Sequence, residues 1–172
     1  NQQNKILADL KKKSKSFTKQ IRIKQLKAES IDKEIQKLIR EAIVLSNKKE
    51  KSNTSDVFKL TPEAKLLADN FRSNKGKLPW PVSKGVIIQK YGMQTHPLVK
   101  TTKIKSSGIT IASVDNAKVR TVFEGQVMAI LSFKNSNPTI LVKHGNYITA
   151  YKNLSKVYVK EGQYLDSKET IG

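Results

Sequence analysis

From Lys5 to about Ser46 the chain holds no glycine or proline, and its apolar residues recur at alternating steps of three and four. The seam reads Leu7, Leu10, Ser14, Phe17, Ile21, Lys24, Ala28, Ile31, Ile35, Leu38, Ala42 and Leu45, with Ser14 and Lys24 its two polar members. Heptad spacing kept over this many turns predicts one long helix with an apolar stripe. At 1.5 Å per residue such a helix runs roughly 60 Å, beyond the width of a small domain, so the stripe requires a second helix to cover it. Residues 1–46 therefore read as one helix of a coiled-coil arm, its partner being another copy of the chain or a segment upstream. Asn47 to Asp56, NKKEKSNTSD, is polar and aperiodic, and residues 47–60 read as a linker or hinge that leaves the arm free to move.

A shorter helix is signalled over 61–76. Thr61 is placed to cap it, Pro62 suits its first position, and Glu63 suits the positive end of its dipole. Ala64, Leu67, Ala68 and Phe71 give it one apolar face. From Leu78 the pattern changes to short β-rich runs broken by Gly, Asn and Pro: Val86–Tyr91, Ser107–Ala112, Lys118–Phe123, Gln126–Phe133, Thr139–His144 and Tyr147–Tyr151. Their close spacing favours hairpins over crossover helices. The expectation is an α+β chain: a long coiled-coil arm, a short helix, and a mainly antiparallel β domain over 77–172. Ile171-Gly172 reads as the start of a turn, so a further strand is expected beyond it, and a start at Asn1 without Met points to a trimmed chain.

Composition narrows the possible chemistry. No apolar run approaches the roughly 18 residues of a membrane helix, which excludes a transmembrane segment. Absence of cysteine excludes disulfides, thiol catalysis and thiolate-bound metal. The net charge of +19 invites an anionic partner, but only four of 33 basic residues are arginine, namely Arg22, Arg40, Arg72 and Arg120. Bidentate gripping of phosphate or guanine favours guanidinium, so a lysine-dominated set argues against nucleic acid. Paired-carboxylate motifs, phosphate-cradling glycine loops and serine nucleophile elbows are all missing.

Several short runs carry more specific information. Lys77-Leu78-Pro79-Trp80-Pro81-Val82, Tyr91-Gly92, His96-Pro97, Gly108-Ile109-Thr110-Ile111, Val119 to Gly125, His144-Gly145 and Tyr151-Lys152-Asn153-Leu154 follow in order along the β region. As a set they resemble LytM-type (lysostaphin-like) zinc endopeptidase domains, across essentially all of 77–172. With the preceding coiled coil, the helix opening Leu60-Thr61-Pro62-Glu63-Ala64-Lys65 and the run Gly76 to Pro81, the chain resembles the EnvC-type murein hydrolase activators.

The resemblance also implies a lost site. Active members carry His-x-Gly-x-Asp, whose His and Asp bind zinc, where this chain has Ser106-Ser107-Gly108-Ile109-Thr110. Their Tyr-x-His-Leu stands here as Tyr151-Lys152-Asn153-Leu154. Hydroxyls in place of imidazole and carboxylate cannot make a zinc site. The positions Ser106, Thr110 and Asn153 are thus expected to be degenerate, with no catalytic residue, metal or cofactor. His96 and His144 lie outside the ligand positions of the pattern and read as structural.

What the resemblance implies in function is a pseudoenzyme whose former groove, marked by Ser106, Thr110, Tyr151 and Asn153, receives a protein partner. That partner would be an N-acetylmuramoyl-L-alanine amidase, activated during cell division and daughter-cell separation. The coiled coil would dock on an FtsEX-type ABC transporter at the inner membrane, in the periplasm, with peptidoglycan itself a further ligand. The helix carrying Leu67 and Phe71 would cover or release the groove. A different class of reading is a cell-wall binding or scaffolding module drawn to anionic surfaces by its charge, without activator role.

Overall fold

The structure is a computed structural model that describes residues 2–49, 58, 60–96, 99–100, 102–133 and 136–172. Two helices precede eight strands: α1 (Gln2–Lys49), α2 (Pro62–Ser73), β1 (Val86–Gln89), β2 (Gly92–Thr95), β3 (Lys103–Ser106), β4 (Thr110–Ala112), β5 (Gly125–Leu131), β6 (Thr139–His144), β7 (Tyr147–Tyr151) and β8 (Tyr164–Leu165). All strand pairs are antiparallel. The α+β class expected from the sequence is therefore present, with its long helix, short helix and antiparallel β region. Most of the expected hinge, 50–57 and 59, lies outside the described residues, and α1 itself runs on to Lys49.

The chain forms two compact units, Asn1–Leu38 with Val86–Ala112, and Ile39–Gly85 with Ser113–Gly172. In the first unit β2 and β3 form a hairpin in which Gly92 faces Ser106 and Thr95 faces Lys103. A separate pair joins β1 to β4, Val86 opposite Ala112 and Ile87 opposite Ile111. α1 is tied to this unit by two side chains. The Gln25 amide donates to the Lys103 carbonyl at 3.1 Å, and the Ser107 hydroxyl donates to the Asp32 carboxylate at 2.6 Å.

Burial along α1 overlaps the expected seam in part. Through its C-terminal half the covered positions are Ile21, Gln25, Ile31, Asp32, Ile35, Leu38, Ile39, Ala42, Ile43 and Asn47, close to the 3.6-residue period of a straight helix. Ile43 is 8% exposed, while Leu45, the last seam position, is 61% exposed. A strict heptad and a 3.6-residue stripe drift apart by about 20° per heptad, which separates Leu45 from the covered side. Ile6, Leu7, Leu10 and Phe17 remain exposed.

The second unit holds a four-stranded sheet in the order β7-β6-β5-β8. β6 is central, and Ile140, Leu141, Val142 and His144 are all fully buried. Neighbouring side chains of a strand point to opposite faces, so β6 is covered on both. Val127, Ile140, Val142, Leu165 and Ile171 form the core on one side. α2 begins as its sequence dictates: the Thr61 hydroxyl accepts from the Ala64 N–H at 3.2 Å, with Pro62 opening the helix.

Strand expectations needed three corrections. Lys118–Phe123 makes a single bridge, Arg120 to Thr170, although backbone bonds join Val119 to Ile171 and Thr121 to Glu169. Segment Ser107–Ala112 opens with a turn, so only Thr110–Ala112 is strand. The β2–β3 hairpin and β8 were not foreseen, because Gly92 reads as a turn residue and Lys103–Ser106 alternates lysine with little else.

Gly145 permits the close approach of α2. Its φ is +67°, and an added Cβ would meet the Ala64 carbonyl oxygen and lie 2.6 Å from Ala68 Cβ. Gly162 has φ +80° but open space around it. Gly145→Ala should therefore lower unfolding stability by about 2–4 kcal/mol and Gly162→Ala by about 1–2 kcal/mol, measured by urea denaturation. Equal effects at both sites would show that strain alone, without the helix contact, accounts for Gly145.

Candidate functional site

The first unit holds Ser106 and Thr110 at either end of the turn joining β3 to β4. Ser106 is half-buried; its hydroxyl donates to the Gly108 carbonyl at 2.7 Å and accepts from the Gly108 N–H at 3.5 Å. Ser side chains close turns in this way. Thr110 is exposed and its hydroxyl donates to the Gln89 side-chain oxygen on β1 at 3.3 Å. Between them Ser107 is bonded to Asp32 of α1. Each hydroxyl thus has an internal partner, Ser106 within the turn, Ser107 on α1 and Thr110 on β1. Neutral hydroxyls that donate to oxygen acceptors do not match the nitrogen and carboxylate donors of a zinc site. Among the described residues no three His, Cys, Asp or Glu side chains gather as metal ligands. Zinc does not fit these positions, and no chemistry is routed through it.

Tyr151 and Asn153 belong to the second unit. Tyr151 is a core residue at 8% exposure. Its hydroxyl accepts from the Val122 N–H at 2.8 Å and lies 3.3 Å from the Thr121 hydroxyl. Its surface and its polar atom are both used internally, which leaves little to offer a partner. Asn153 is exposed and left-handed, with φ +66°, a conformation asparagine tolerates better than most residues. Its side-chain oxygen accepts from the Asn137 amide at 3.0 Å.

Leu67 and Phe71 are half-buried on α2. The Phe71 ring stacks on His144 with centroids 4.7 Å apart, lies 5.3 Å from Tyr147, and meets Phe123 edge-on at 5.5 Å. α2 is thus fastened over the turn joining β6 to β7, at the end of β7 away from Tyr151 and Asn153. His144 is fully buried at the centre of this cluster. Nδ1 lies 2.6 Å from the Glu124 carbonyl and Nε2 lies 2.9 Å from the Thr149 hydroxyl. A carbonyl only accepts, so the assigned tautomer carries its proton on Nδ1, and Thr149 donates to Nε2. Burial lowers the pKa of His144, partly opposed by the Glu124 carbonyl. His96 is used structurally as well, its Nδ1 accepting from the Val99 N–H at 3.2 Å. The aromatic cluster was missed by sequence reasoning; the signal available was Phe71 on an apolar helix face, with Phe123 and Tyr147 flanking Gly-containing turns.

Residues 104–172 match the model of Peptidase family M23. The M23 segment takes in both ends of the β3–β4 turn, the whole four-stranded sheet, Tyr151 and Asn153. No curated protein matches the chain. Among solved structures, a Pseudomonas aeruginosa protein assigned to peptidase M23 is similar at 20% identity and a TM-score of 0.38, over 65% of this chain. The chain spans half the length of that protein.

The buried imidazole makes stability depend on pH. An unfolded histidine titrates near about 6.5, whereas folded His144 takes up its proton only at lower pH. Between those values the unfolded chain binds more protons, so stability is whole above about pH 6.5 and falls as pH decreases through that window. His144→Asn should flatten the dependence of unfolding free energy on pH between about 7.5 and 5.5, even if it lowers stability throughout. A slope unchanged by the substitution would assign the effect to another group.

Proposed function

We propose that the chain is a non-catalytic activator of peptidoglycan amidases. An M23 domain implies a peptidoglycan-related role, and the observation that carries the finer reading is that neutral hydroxyls, Ser106 bonded to Gly108 and Thr110 to Gln89, stand where active relatives hold metal. Asn153, exposed beside them in the motif order, replaces a third functional residue. A domain of this class without its metal retains strand edges and surface able to receive a peptide or helix from another protein. In this reading the partner is an N-acetylmuramoyl-L-alanine amidase in the periplasm, α1 couples the domain to an FtsEX-type ABC transporter, and α2 is the element whose release exposes Phe123, His144 and Tyr147.

The test is release of soluble fragments from purified peptidoglycan by the chain alone, by an amidase from the same cell, and by the two together. No release by the chain alone and a severalfold rise when both are present is the expected result. Phe71→Ala, which weakens the hold on α2, should raise activation further, and Asn153→Trp should reduce it. Release by the chain alone, abolished by a chelator, would overturn the proposal.

A cell-wall binding module is the second reading, favoured by the net charge of +19. Retention on peptidoglycan that collapses between low and high salt, without any effect on amidase activity, would support it over the activator.

A further inference from the structure

The N-terminal half of α1 combines a bare apolar face with one-sided charge. Ile6, Leu7, Leu10 and Phe17 are each more than half exposed. At 100° per residue they fall within an arc of about 100°, on the azimuth that Ile35 and Ile39 use where the helix is covered. The first side chain that ties α1 to the β strands is Gln25. Over residues 2–26 seven lysines and Arg22 stand against one acid, Asp9. Asp9 is itself beside Lys13 at 3.7 Å.

Charge weighs against a second copy as the cover of this face. A second copy would bring the same excess of cations against it, and like charges along a coiled-coil seam oppose pairing. Lys13 and Lys24 border the apolar arc, where a packed helix would strip their water. At a lipid interface the same side chains lay their methylenes on the apolar layer and raise their ammonium groups into the head groups. Lysine, a point charge without a preferred planar acceptor, suits a diffuse anionic surface. An amphipathic helix with a basic polar face and Leu, Ile and Phe opposite is the physical form of an interfacial helix. No described helix is long and apolar enough to cross a membrane, so contact is with the surface.

We propose that the segment from Gln2 to Lys24 lies on an anionic phospholipid surface, with Ile6, Leu7, Leu10 and Phe17 at the acyl boundary. This surface is separate from the M23 segment and does not depend on the activator reading.

The absence of native cysteine allows single labelling sites in the whole chain. Leu10→Cys and Lys19→Cys, on opposite faces of α1, are each labelled with a nitroxide and mixed with vesicles of phosphatidylglycerol and phosphatidylcholine in equal parts, or of phosphatidylcholine alone. With the anionic vesicles, position 10 should become shielded from a water-soluble nickel relaxant and open to oxygen, while position 19 stays accessible to the nickel reagent. The unlabelled double variant Leu10→Glu/Phe17→Glu should lose about tenfold or more in vesicle affinity. Equal nickel access at both positions would overturn the proposal. So would a double variant that binds like the parent, which would assign retention to net charge alone. Mutual broadening of labels at position 10 without lipid, which would identify a second copy as the occupant, would also overturn it.

Discussion

One neutral imidazole holds the second unit together. His144 reaches the residue before β5 through Glu124, reaches β7 through Thr149, sits on β6 itself, and stacks against α2 through Phe71. A buried polar ring is costly unless both nitrogens are satisfied, and here both are. The arrangement constrains its neighbours in turn: a side chain at Gly125 would come within 2.6 Å of His144 Nδ1, and one at Gly145 would strike α2. Gly125, Thr149 and Phe71 are therefore constrained by the presence of a single histidine.

That dependence explains what was legible in the sequence. The long helix could be read because a period shows over many turns, and the capped α2 because Thr61, Pro62 and Glu63 are adjacent. β6 and β7 could be read because their apolar runs end at His144-Gly145. What escaped was set by contacts distant in sequence. The imidazole could be recognised as structural, but not as the meeting point of Phe71, Phe123 and Tyr147. Tyr151 was read as a motif residue on a groove floor; its ring is in the core because Val122 and Thr121, about thirty residues earlier, occupy its hydroxyl. The stripe of α1 was read at heptad spacing from its apolar steps, which cannot tell Ile43, buried, from Leu45, exposed.

The turn between β3 and β4 shows how short hydroxyl side chains can organise a connection between strands. Ser106 and Thr110 are not idle: one closes the turn onto Gly108, the other reaches across to β1. Ser107 adds a bond to Asp32. These hydroxyls contribute to the local fold of the first unit.

Ile171 is fully buried beside Val119, whose carbonyl accepts its N–H at 2.8 Å. The core therefore receives one of its central side chains only after some fifty further residues have been synthesised, and that long separation slows closure of the loop. While the chain is still on the ribosome, β5, β6 and β7 can pair, yet Val127 and Ile140 lack part of their cover. Until Ile171 is in place, such a chain keeps exposed the apolar surface of Val127 and Ile140 that the finished core covers.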